Sequence, residues 1–310
     1  MTRANLYVPV TARRGSIAIG NFDGVHRGHA EMLQRLKQMA TATASHAVAV
    51  TFDPHPIAIL RPEFTPPILT TLSERITLLK ESGADEVVVL PVTQQLLEMT
   101  AEQFFTEVIV EQFEARGIVE GPNFHFGKDR HGDTLLLQSL CDTHGIQCHV
   151  VKPVVDGDLM ISSSRIRELL CSRAMTQATE LLGHPYRLSG VVKQGAQRGR
   201  TIGFPTANLT DIPTLLPAHG VYAGLTQLDG RWFPVAASIG PNPTFGEHRE
   251  KIECHIDGYV GDLYGKILHV DLLSEVRALQ SFSSIDLLIS QIQSDVAYCR
   301  RTAQQFLAKG

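Results

Sequence analysis

The chain has 310 residues, of which 43% are hydrophobic and 19% charged, and a formal net charge of -4. That is too long for one average domain and ordinary for two globular ones, each able to bury its own core. A slightly acidic balance without a long basic run excludes nucleic-acid binding driven by counterion release; nucleotides need only a local positive site and stay open.

The N-terminal stretch MTRANLYVPVTARRG lacks the continuous apolar core of a signal peptide, and no run approaches the length needed to span a bilayer. A cytoplasmic protein without membrane or nucleic-acid partners, monomeric or weakly homo-oligomeric, is therefore expected. The scattered cysteines Cys141, Cys148, Cys171, Cys254 and Cys299 fit a reducing compartment. Cys141, His144, Cys148 and His149 match no standard zinc spacing and read as incidental residues where a helix turns into a strand.

The first predicted element is a short apolar strand, Ser16–Gly20, followed by the loop Asn21-Phe22-Asp23-Gly24 and by His26 and His29 around Gly28. Met32, Leu33, Leu36 and Met39 then recur at helical spacing, so the histidines stand at a helix N-terminus. Such an end presents unpaired N–H groups and a positive dipole, Gly28 lets a ligand approach the backbone, and the imidazoles add donors. His26, Gly28 and His29, with Asn21 in the loop before them, are accordingly candidate phosphate-binding residues. Further strands are predicted at 47–52, 86–90, 117–120 and 147–151, with helices near 28–41, 73–82, 101–115 and 134–143. Alternating strands and helices imply a parallel, Rossmann-like sheet that binds ligands at the carboxyl ends of its strands. His26, Asp53-Pro54-His55 and Pro122-Asn123-Phe124 all follow strand ends and should meet at one rim.

H-x-G-H suits attack on the α-phosphate of a nucleoside triphosphate, where preorganised imidazole and backbone donors stabilise the charge that builds on the phosphorus oxygens. Alone it fits two capping histidines or a zinc pair equally well; the longer string Asp23 to His29 is far more specific. Ile161-Ser162-Ser163-Ser164-Arg165-Ile166-Arg167 adds consecutive hydroxyls at a helix start followed by two arginines, which together can grip a leaving pyrophosphate.

Near Leu182–Tyr186 the pattern changes to short strands at 186–192, 220–228, 231–239, 251–256 and 266–273, with turns such as Gly240-Pro241-Asn242-Pro243, then a helix from about Ser284. That pattern describes an antiparallel sheet or small barrel. The helix carries Ile285, Leu288, Ile289, Ile292, Val296 and Phe306 on one stripe. The expected domains are 1–183 and 184–310.

No P-loop occurs in this half. Instead Gly195 to Asn208 holds Gly195, Gly199, Gly203, Arg198 and Arg200 in one loop, able to wrap a phosphate chain through backbone N–H groups. In the extended stretch that follows, Thr206 and Asn208 point to the same side, and two neutral oxygen ligands suit Mg²⁺ held otherwise by ATP phosphates. In Lys251–Asp257 the residues Glu253, His255 and Asp257 share a polar face. Pattern alone does not say which carboxylate would act as a base, and such faces are more often solvated than catalytic.

Gly20–His29, Thr51–Pro56, Gly121–Gly127 and Ser162–Arg167 together resemble the N-terminal module of the prokaryotic bifunctional riboflavin kinase/FAD synthetase family. Leu182–Tyr186, Gly199–Asn208, Gly220–Gly224, Pro243–Gly246 and Asp262–Lys266 resemble its riboflavin kinase module in family order. The resemblance implies an adenylyltransferase of the HxGH group followed by a six-stranded barrel. ATP and Mg²⁺ serve both halves, with riboflavin, FMN and FAD as substrates and products. It implies that Glu253 accepts the proton of the ribityl 5'-hydroxyl, that His26, His29, Ser163, Ser164 and Arg167 handle ATP phosphates in adenylyl transfer, and that Asn123 helps place the reacting phosphates or the flavin. Asp53 stands where the family more often has Glu, Ser164 where it often has Thr, and Ser238 where Asn usually precedes Ile-Gly. Arg277 and Phe282 keep part of an otherwise altered family segment. Two alternatives are an enzyme with the adenylyltransferase alone active and a non-catalytic flavin-binding protein; the latter would be free to lose the phosphate-handling residues that are all present.

Overall fold

A computed structural model describes residues 8–195, 198–241 and 250–308, apart from the Arg198 side chain. Ala196, Gln197, the Arg198 side chain, the Pro243–Gly246 motif and part of the Gly240–Pro243 turn lie outside the described set. The chain divides into two compact units, Met1–Ser162 and Ser163–Gly310.

In the first unit β1 (Ser16–Ile19), β2 (Ala47–Asp53), β3 (Glu86–Pro91), β4 (Gly117–Glu120) and β5 (Gln147–Val150) form one parallel sheet in the order β3-β2-β1-β4-β5. The two faces are built differently. Ala18, Ala47 and Ala49 point to the side where α1 (Arg27–Ala42) packs Leu33 and Leu36, and these small residues let the helix approach. Ile17, Ile19, Val48 and Val50 point the other way, against Phe104, Phe105 and Ile109. Those three come from the helix expected near 101–115, which is α-helical only over Ala101–Gln103 and continues as a π-helical segment, Phe104–Gln112. A hairpin, β6 (Val155–Asp156) and β7 (Leu159–Met160), completes the unit.

The second unit begins with helices Ser163–Cys171 and Met175–Leu182. Strands β8 (Tyr186–Lys193), β9 (Ala207–Thr210), β10 (Gly220–Leu228), β11 (Arg231–Gly240), β12 (Lys251–Ile256) and β13 (Ile267–Arg277) then form a closed barrel in the order β10-β11-β12-β9-β8-β13. β8 and β12 alternate buried and accessible residues, as strands with one solvated face do. β10 is buried from Gly220 to Thr226, because its outer face lies under the terminal helix Ile285–Leu307, where Leu225, Leu273 and Ala303 cluster. The predicted apolar stripe of that helix is only partly the packed one: Val296, Cys299 and Ala303 are buried, whereas Ile285 and Phe306 are exposed. Asp295 shares the packed stripe because Arg277 donates to it from Nε at 2.9 Å and Nη2 at 2.8 Å. Among the described residues no helix is long and apolar enough to cross a membrane.

Candidate active sites

Parallel pairing places the ends of β1, β2 and β4 on one edge of the sheet, so His26, Asp53 and Asn123 follow from the same rim. β1 lies between β2 and β4, which makes its carboxyl end the point where the strand order reverses and ligands bind.

His26 caps α1. Its Nδ1 accepts the His29 N–H at 3.3 Å, and the two rings stack with centroids 3.6 Å apart at 14°. An acceptor Nδ1 leaves the His26 ring proton on Nε2. Gly28 has a further role the sequence did not indicate: a Cβ there would stand 3.2 Å from His26 Nδ1 and Cε1, so glycine also makes room for the ring. His29 also meets the Phe22 ring edge-on at 5.2 Å. It stays partly accessible, yet burial, then His26, then Arg75 push its pKa well below the ordinary imidazole value, so the ring is neutral. His29 Nδ1 and Asn21 Oδ1 are both buried without a protein partner.

The loop carrying Asn21 is held by residues that sequence reasoning missed. Asp23, buried to 3% exposure, accepts from Leu69 N–H at 2.9 Å, Thr70 N–H at 3.0 Å and the Thr70 hydroxyl at 3.1 Å. The Arg75 guanidinium lies 3.7 Å from Asp23 and donates to Thr51 Oγ1 and the Phe52 carbonyl, each at 3.4 Å. Thr51 Oγ1 donates in turn to the Asn21 carbonyl at 3.1 Å. One signal was available: Arg75 is buried one turn before buried Leu79, and a cation on a core stripe requires a partner.

Ser163, Ser164 and Arg167 start the first helix of the second unit, whose Ile166 and Leu170 are buried; Ser164 is exposed and the other two half-buried. Ser163 and Arg167, four residues apart, share a helix face. In the first unit Asn123 is exposed and donates from Nδ2 to the Met160 sulfur at 3.7 Å, beside the exposed apolar Val155 and Leu159 of the hairpin.

In the barrel Glu253 pairs with Ser238 on one side and Asn208 on the other, and Asn208 pairs with Lys193. These side chains form a row on the outer face, because Cys254 and Ile256 point inward and are buried. Thr206, two residues before Asn208, immediately precedes β9, and a Cβ on Gly199 would lie 3.6 Å from its Cγ2. Gly195 packs against Asn208 so closely that a Cβ would lie 2.6 Å from its Oδ1. A Cβ on Gly199 would overlap the Phe204 carbonyl oxygen, while Gly203 takes a positive φ of +89° and Arg200 is exposed. Arg198–Thr201 forms a helical turn within the predicted loop. On the same strand and just beyond it, His255 Nδ1–H donates to the Pro205 carbonyl at 2.9 Å, and Arg300 donates to Asp257 at 2.8 and 3.1 Å. Phe204, Pro205, His255, Tyr259, Val296 and Arg300 border a cavity of about 440 Å³.

Residues 9–165 match the family model for FAD synthetase, and residues 182–303 match that for riboflavin kinase. The chain is 35% identical over 291 residues to the bifunctional riboflavin kinase/FMN adenylyltransferase of Escherichia coli, covering 94% of this chain and 92% of the relative. Proteins of the same name from Pseudomonas fluorescens, at 35% identity and 94% coverage of both chains, and Bacillus subtilis, at 31% identity with 90% and 89% coverage, are also similar. A crystal structure described as a macrolide-efflux protein from Streptococcus pneumoniae superimposes with a TM-score of 0.83 at 31% identity, covering 96% of each chain.

Proposed function

We propose a residue-level mechanism for a chain that belongs to the bifunctional riboflavin kinase/FMN adenylyltransferase family, and that therefore phosphorylates riboflavin to FMN and adenylylates FMN to FAD. The catalytic modules are assigned to 1–183 and 184–310, acting on small molecules in a cytoplasmic monomer or weak homo-oligomer without nucleic acid. One observation carries the reading: His26–His29 and Glu253–Asn208 stand in separate compact units, each held by its own main chain.

In adenylyl transfer a phosphate oxygen of FMN attacks the α-phosphorus of ATP, and the bond to the β-phosphate oxygen breaks. Neutral His29 and the Nε2–H of His26 donate to the α-phosphate oxygens, together with the first N–H groups of α1. The stabilisation comes from preorganised dipoles rather than an imidazolium. Asn21 Oδ1, an acceptor, suits a nucleoside hydroxyl or amino group; its amide N–H₂ can serve a phosphate. Ser163, Ser164 and Arg167 receive the departing pyrophosphate, and Asn123 with the exposed apolar hairpin places the flavin end of FMN.

In phosphorylation Glu253 accepts the proton of the ribityl 5'-hydroxyl as its oxygen attacks the γ-phosphorus and ADP leaves. Gly195, Gly199, Arg200 and Gly203 wrap the phosphates, and the neighbouring cavity accommodates the nucleoside. Thr206 and Asn208 offer neutral oxygens on the face that carries Glu253, a donor set that fits Mg²⁺ with its remaining positions filled by phosphate and water. Bound there, Mg²⁺ would neutralise charge on the transferring phosphates.

The test is one incubation of purified protein with riboflavin, ATP and Mg²⁺, followed by chromatography. FMN should appear first and FAD after it; absence of both would contradict the reading.

A further inference from the structure

β1 pairs with β2 along its whole length, from Ser16↔Ala47 to Ile19↔Val50, but with β4 only at Ser16↔Gly117 and Ile17↔Ile118. β4 itself continues, paired with β5, to Glu120↔Val150. The strands therefore part at the carboxyl edge, where a sheet of this order takes its ligand. Beyond the end of the ladder the Ile19 N–H donates to the Glu120 side chain, Oε1, at 2.7 Å. Glu120 is 1% exposed. Ile19 leads directly into Gly20-Asn21, and Glu120 directly into Gly121-Pro122-Asn123, so this hydrogen bond ties the roots of two loops assigned to ATP and FMN.

We propose that Glu120 is a positioning residue for adenylyl transfer, its side chain setting the spacing of β1 and β4 and thereby the placement of Asn21 and Asn123. This rests on the reading of Asn21–His29 as the nucleotide site. The carboxyl that does this is biased towards its neutral form. Burial holds the carboxyl well above the ordinary carboxylate range and Cys148 adds to the shift, while the N–H groups of Ile19 and Gly121 oppose it. None of these groups is a cation. β1 carries no titratable side chain. On β5 Cys148 faces Glu120, whereas His149 is the register partner of Val119 and points to the opposite face. From the helix Thr134–His144 comes Cys141, whose thiol is hydrogen-bonded to that of Cys148, with Asp142 acting on both. Ionising Glu120 would place an uncompensated charge at the base of the crevice.

Glutamine keeps the acceptor for Ile19 N–H and cannot ionise; valine fills space without an acceptor. Glu120→Gln should keep kcat/KM for FMN adenylylation within about threefold of the parent, whereas Glu120→Val and Glu120→Ala should lower it about 10- to 100-fold, more through KM for ATP than through kcat. The parent's FAD synthesis should show an alkaline limb that Glu120→Gln removes. Riboflavin phosphorylation, measured on the same samples, should be unchanged in all variants; because the kinase site stands in the other unit, an unchanged urea-unfolding transition of the first unit reports that the adenylyltransferase unit is folded. Full activity in Glu120→Val, loss in Glu120→Gln equal to that in Glu120→Val, or an alkaline limb that persists in Glu120→Gln would each overturn the proposal. His29→Ala run in parallel separates the two levels. If it still makes FAD, the nucleotide-site reading fails; if it does not, while Glu120→Val does, the role of Glu120 fails alone.

Discussion

Asn208 on β9 lies directly opposite Glu253 on β12, and its amide is wedged against Gly195 with no space for even a methyl group between them. The proposed acceptor of the hydroxyl proton and the proposed metal ligand are thus set by strand register, while the ligand's rotamer is set by the glycine-rich loop at Gly195. Gly195→Ala should reproduce Asn208→Ala: riboflavin phosphorylation reduced about tenfold or more and a higher Mg²⁺ concentration needed for half-maximal rate, with FMN adenylylation intact. Initial rates across a Mg²⁺ titration check this.

Gly28→Ala makes the corresponding statement for the other site. Its Cβ would press on the His26 ring at 3.2 Å and displace the stack with His29. FAD synthesis from FMN should fall about tenfold or more, with riboflavin phosphorylation unaltered. Rates for the two substrates measured separately decide it.

Asp23 concerns stability as well as geometry. Asp23→Ala would strip acceptors from the buried Leu69 and Thr70 N–H groups and leave Arg75 without its carboxylate. A loss of about 2–4 kcal/mol is expected in urea unfolding of the first unit, together with reduced FAD synthesis. An unchanged unfolding midpoint would show that the loop is held by other contacts.

The pKa of His29 gives stability a pH dependence with a definite sign. The unfolded chain takes up a proton near the ordinary imidazole value of 6.5, while the folded site does so only at much lower pH. The contribution is therefore present above pH 6.5 and lost as pH falls through it towards the folded value. His29→Asn should flatten the fall in unfolding free energy of the first unit between about pH 7.5 and pH 5.

The sheet strands were legible because a parallel sheet covered on both faces needs apolar runs, and Ser16–Ile19 and Ala47–Phe52 are such runs. β9 was not: Ala207-Asn208-Leu209-Thr210 has a single buried residue, and its place comes from neighbours on both sides. Periodicity put Glu253, His255 and Asp257 on one polar face without choosing among them. Strand register places Glu253 opposite Asn208, while His255 donates to the Pro205 carbonyl and Asp257 pairs with Arg300. Asp23 and Glu120 were invisible for the same reason, since their partners Thr70 and Ile19 lie 47 and 101 residues away in sequence. Arg277, part of a family segment in the sequence, turns out to anchor the terminal helix through Asp295.

Two chemically independent sites on one chain should be separable by a pair of substitutions, each assayed with both flavins. His29→Ala should leave riboflavin phosphorylation intact and stop FAD formation, so that FMN accumulates. Glu253→Gln should leave FMN adenylylation intact and lower riboflavin phosphorylation by about 10²–10⁴. Loss of both activities in either variant, with the protein still folded, would contradict the assignment.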